Sequence, residues 1–128
     1  MRRLHRLLPI LFVAGLATCK GTEPAGPGWL NVRLTSPTTD DGGVMFVVRG
    51  ASIDSVRSTF ADAFTSRVSA TEWKVIVVGN VSSTVVARVW VPDLDAAAQY
   101  SATVEQVASG VTFEQRAVGG YGLSVERP

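Results

Sequence analysis

The sequence predicts an all-β domain, an antiparallel β-sandwich. Three observations lead there. Hydrophobic and polar residues alternate in short runs, the runs are rich in valine, and clusters of Gly, Pro, Asp and Asn part them at regular intervals. A chain of 128 residues suffices for one domain, and 46% hydrophobic against 18% charged residues lets it bury a core.

In Trp29 to Thr35, Leu30, Val32 and Leu34 alternate with Asn31, Arg33 and Thr35, a strand with one buried and one wet face. Ser36 to Gly43 (SPTTDDGG) is a turn cluster. Val44 to Val48 (VMFVV) is a continuous apolar run, as expected of a central strand covered on both faces. Ser52 to Ser66 carries two patterns. Ile53, Val56, Phe60 and Phe64 are spaced for a helix face, whereas the Ser, Thr and Asp content favours two short strands joined near Ala61. Strands are expected there.

Trp73 to Val78 is a strand, and Gly79-Asn80 signals a tight turn. Val85, Ala87, Val89 and Val91 are expected on one face of the next strand, with Val86, Arg88 and Trp90 on the other. Pro92 stops it. Asp93 to Gln99 suits one helical turn capped by Asp93. Tyr100 to Ala108, Val111 to Ala117 and Tyr121 to Glu126 complete the series, the last two parted by Gly119-Gly120. Eight or nine strands at a spacing of about 8–12 residues are the pattern of a sandwich. Valine-rich strands with glycine-rich turns resemble immunoglobulin-like or cohesin-like modules, a likeness of fold that carries no function.

A different composition precedes the strands. Arg2, Arg3, His5 and Arg6 form a positive start, Leu7 to Leu16 (LLPILFVAGL) is apolar, and small residues follow. These are the three parts of a secretory signal peptide. The apolar run is about half of the roughly 20 residues that span a bilayer, and Pro9 interrupts it. Its end, Leu16-Ala17-Thr18-Cys19, resembles the lipobox of bacterial lipoproteins: Leu, two small residues, then Cys. Thr18 stands where Gly, Ala or Ser is usual.

The resemblance implies a signal peptide over residues 1–18, cleavage before Cys19, and a diacylglycerol on the Cys19 thiol. The membrane would then be the first partner, through an anchor of two or more acyl chains. Lys20 stands where Asp favours inner-membrane retention, which points to the outer membrane. The rival is ordinary cleavage after Ala17, releasing a soluble secreted or periplasmic protein with a free thiol. Residues 19–28 then form the anchor and a tether, with two prolines and three glycines in KGTEPAGPG. Residues 29–128 form the sandwich domain.

Composition excludes much chemistry. Cys19 is the single cysteine and His5 the single histidine, so the mature domain has no disulfide, no Ser-His-Asp or Cys-His catalysis and no His/Cys zinc site. A non-enzymatic domain without a cofactor is expected. Loss of Arg2, Arg3 and Arg6 from the 12 basic residues leaves nine against 11 acidic ones, a mature charge of −2. With Arg and Lys scattered singly, a nucleic-acid partner is not expected.

Two groups remain as candidate sites. Asp40 and Asp41, before Gly42-Gly43, offer carboxylate oxygens to Ca²⁺. Calcium takes 6–8 oxygens, however, and the same residues suit a turn. Asp93 and Asp95 carry the same pair of readings. Trp90 is out of phase with Val89 and Val91, which leaves two readings. Either the sandwich buries the tryptophans or they cap its ends, as is usual for aromatics of small domains, or Trp90 stands on an outer face, where it and Trp73 become candidate ligand contacts. The expected function is a structural or protein-interaction module of the cell envelope. The alternative is a carbohydrate-binding or calcium-assisted adhesion module, with an envelope protein or a glycan as partner.

Overall fold

The computed structural model describes residues 25–128. The signal segment, the Leu16-Ala17-Thr18-Cys19 motif and most of the tether lie outside them. Nine strands run in order: β1 (Gly28–Thr35), β2 (Asp41–Arg49), β3 (Ser55–Ser58), β4 (Asp62–Ser69), β5 (Glu72–Val78), β6 (Val85–Val91), β7 (Ser101–Ser109), β8 (Gln115–Arg116) and β9 (Gly122–Glu126). They form two antiparallel sheets, one ordered β3-β6-β1-β9 and the other β4-β5-β2-β7-β8. The chain is an all-β sandwich.

Alternation builds the interior. Leu30, Val32 and Leu34 of β1 face Val44, Phe46 and Val48 of β2 across the gap, joined by Val75 and Val77 of β5 and by Val89 and Val91 of β6. Eleven of the 17 residues in the core cluster are valine. Valine is stiff about χ1 and suits a pleated surface, so it orders well, but it leaves Phe46 as the largest wholly buried side chain.

The segment Ser52 to Ser66 is two strands, as expected, and they belong to different sheets. Val56 of β3 turns into the core, Phe60 packs at the crossing, and Phe64 of β4 points to solvent. That division gives four apolar residues a helix-like spacing without a helix. Asp93 caps a 3₁₀ helix, Leu94–Gln99, its carboxylate accepting from the Asp95 N–H at 2.9 Å. Ala25 and Gly26 rest on this helix: the Ala25 N–H donates to Asp95 and the Leu94 N–H donates to the Gly26 carbonyl. A side chain at Gly28 would meet Leu94, which would have to shift to admit it where β1 begins.

Three expectations change. In β6 the alternation breaks: Val32 pairs with Ala87 and Arg33 with Val85, leaving Val86 as a bulge between them. Val86 therefore joins Ala87 in the core and Val85 is only half-buried. The run from Val111 to Ala117 is a strand only at Gln115–Arg116. Before it, the chain turns back, with Phe113 at φ 62° and its N–H donating to the Ser109 carbonyl. Finally, β2 is central, but among the described residues no second layer covers its outer face. Val47 is buried there between its register neighbours Lys74 and Thr103, while Met45 stays half-exposed.

Replacing Phe46→Ala should cost about 3–5 kcal/mol, because small β-branched neighbours refill a ring-sized void poorly. Chemical denaturation of wild type and variant measures the difference.

Candidate functional site

Three side-chain groupings stand out, one at an end of the sandwich and one on each outer face.

The first surrounds Asp41, whose side chain is buried at 1% residue exposure. Tyr121 and Thr38 donate hydroxyls to Oδ1 at 2.6 and 2.9 Å, and Ser82 donates to Oδ2 at 2.7 Å. The Arg116 guanidinium reaches Oδ1 of both Asp41 and Asp40 at 2.8 Å. Burial opposes the Asp41 charge, but the hydrogen bonds from Tyr121, Ser82 and Thr38 outweigh it and bring the carboxyl down to about 2. Asp40, at the surface, is lowered by its hydrogen bond from Arg116. Arg116 in turn is raised above its ordinary value, first by Asp40 and then by Tyr121.

The two carboxylates are therefore brought together on one cation, and that cation is Arg116. Sequence inspection singled out the aspartates but not Arg116 or Tyr121. Separations of 75 and 80 residues from Asp41 leave no local signal. Asp93 and Asp95 do not pair as ligands, because one caps the 3₁₀ helix and the other meets Arg127 at 2.8 Å.

The second grouping lies on the outer face of the four-stranded sheet. Trp90 does sit on this face, half-buried, and its cross-strand neighbour is Trp29. The two rings meet edge-on, with centroids 5.1 Å apart and planes at 70°. Arg57 of β3 reaches across β6 to lie 5.6 Å from the Trp29 ring centroid. Arg88 is directly opposite Arg57 in the register. Trp73 is elsewhere: it begins β5 in the other sheet and packs against the core, its Nε1 buried without an acceptor among the described residues. Trp29, not Trp73, is the partner of Trp90.

The third grouping covers the outer face of the five-stranded sheet. Phe64 is 79% exposed and Phe113 82%, with Ile76, Val78 and Val111 also open to solvent. Phe64 is opposite Ile76 in the register. Gly43, which has no side chain, and Met45 floor a groove of about 270 Å³ between Ile76 and Val78 on one side and Phe113 on the other. Five large apolar residues on one open face are informative where one would not be. Phe64 was read only as part of a helix-or-strand choice, and Phe113 as part of a strand. No local signal marks them: by alternation, their polar neighbours Thr65 and Glu114 would place both rings inward.

Because Asp41 is held below an unfolded carboxyl near 3.8, its contribution of about 2 kcal/mol should be complete above about pH 5 and lost progressively as pH falls through about 2. Melting temperature against pH reads this, and Asp41→Asn should remove that part of the acid dependence while lowering stability at pH 7 by about 3 kcal/mol.

Compared with protein-family models, with curated proteins and with solved structures, the chain matches none.

Proposed function

We propose that the chain is a lipid-anchored cell-envelope protein whose sandwich docks another protein and performs no catalysis. The observation that carries the docking is the open apolar face of the five-stranded sheet, with Phe64 and Phe113 on either side of Ile76 and Val78. A solvated sheet face gains nothing from two exposed phenylalanines. The same side chains buried under a partner each contribute roughly 1.5–3 kcal/mol. The groove is shallow and lies below the roughly 300–1,000 Å³ of a pocket that engulfs a small molecule, so it suits side chains from a facing surface.

The anchor rests on Leu16-Ala17-Thr18-Cys19 after a positive and then apolar start. The lack of a histidine after His5 and of any cysteine but Cys19 supports a role without catalysis. Lys20 after the acylated cysteine favours the outer membrane.

Wild type grown with a fatty-acid analogue should take up label, and Cys19→Ser should not; equal labelling would end the lipoprotein reading. For docking, a photo-crosslinker at position 64 in living cells should give one discrete adduct, and Phe113→Asp should abolish it. Phe113→Asp should leave stability within about 0.5 kcal/mol, as an exposed substitution does. An adduct that persists in this variant would refute docking through this face.

A further inference from the structure

We propose that the outer face of the four-stranded sheet binds an acidic polysaccharide, with Arg57 and Arg88 on its uronate carboxylates and the Trp29–Trp90 pair against its sugar rings. This goes beyond protein docking: it uses the opposite side of the molecule and stands or falls separately.

Charge comes first. Arg57 and Arg88 are directly opposite each other on adjacent strands, and like charges in that position destabilise a sheet. Neither has a carboxylate partner among the described residues, whereas Arg33, Arg49, Arg116 and Arg127 all do. The acid of this face, Glu126, is held by Arg33 at 3.1 Å. The pair thus presents two guanidinium forks with open donors, and a carboxylate matches such a fork with two parallel hydrogen bonds.

Shape comes second. Trp29, Arg57, Ser58, Thr59 and Arg88 line an open depression of about 390 Å³. The Ser58 and Thr59 hydroxyls already donate to the Val86 and Val85 carbonyls, which leaves the two arginines as its charged donors. Trp29 and Trp90, set at 70°, form an aromatic corner beside those charges. A pyranose ring has an apolar C–H face to lay on an indole and, as a uronate, a carboxylate at its rim. An acidic peptide answers the charge but brings no such face. The half-buried indoles do not protrude as a membrane-inserting edge would. The depression is open to solvent, so it can take one segment of a longer polymer.

The test uses the full chain in a nonionic detergent, run on native gels cast with polygalacturonate, dextran or polyglutamate. Polygalacturonate should retard the wild type and dextran should not. Arg57→Gln with Arg88→Gln should weaken retardation at least about tenfold, the loss expected when charge-assisted hydrogen bonds go. Arg49→Gln with Arg67→Gln, both in the five-stranded sheet, removes the same net charge and should change it less than about twofold. Trp29→Phe should weaken it while leaving the melting temperature close to wild type. Absence of retardation by polygalacturonate would overturn the proposal, and so would equal loss in the two double variants. Equal retardation by polyglutamate, or binding to phosphatidylglycerol vesicles in place of polygalacturonate, would overturn the saccharide assignment.

Discussion

A buried carboxylate holds one end of this sandwich together. Asp41 opens β2, and its oxygens gather a threonine from the β1–β2 turn, a serine from the β5–β6 connection, the arginine of β8 and the tyrosine that precedes β9. Three regions of the chain, around residues 38–41, 82 and 116–121, thus meet at one acceptor. A charge taken out of water is tolerated only when its lone pairs are satisfied, and here four donors satisfy them. The arrangement is costly to disturb from any side, since removal of one donor leaves a buried anion less supported. In a small domain without a disulfide, this knot does the work of a cross-link at the end where the β1–β2, β5–β6 and β8–β9 connections meet.

The rest of the molecule divides by face. Between the sheets lies a dry valine layer with Phe46 at its centre. Outside the four-stranded sheet, the surface is aromatic and cationic. Outside the five-stranded sheet, it is apolar and open around a floor of Gly43 and Met45. The five-stranded sheet also overhangs the shorter β3 of its partner, so β4 is exposed along nearly its whole length. Asp62, Arg67 and the register shift between Arg67 and Ser69 guard this edge against indiscriminate pairing.

Much of the fold was legible because alternation and turn chemistry are local. β1, β5 and β7 follow from period-two spacing, and the Asp93 cap from a single side chain. The failures share one cause. In β6, five of seven residues are apolar and β-branched or small, so nothing in the run marks where Val86 slips out of phase. Val111 and Phe113 alternate like a strand, but their phase refers to a turn. The sites were half legible: the phase of Trp90 offers an outer face as one of two readings, and adjacency singles out Asp40 and Asp41. Their partners were not. Trp29, Arg57 and Arg88 meet Trp90 only through the register of three strands, and Arg116 meets the aspartates only through β7 and β8. Register across dozens of residues is a property of the whole core, and no local pattern carries it.

The position of β9 has a consequence for how the molecule forms. β1 pairs on one side with β6 and on the other with β9, the last strand of the chain. The first strand therefore has no backbone partner until residues 85–91 are available, and its second edge stays open until residues 122–126 arrive. Non-local pairing of this kind folds slowly, because the loop entropy is lost before the contacts repay it. A chain emerging from its N-terminus can pair β2, β4 and β5 early, but it cannot complete the four-stranded sheet until almost all of it is present.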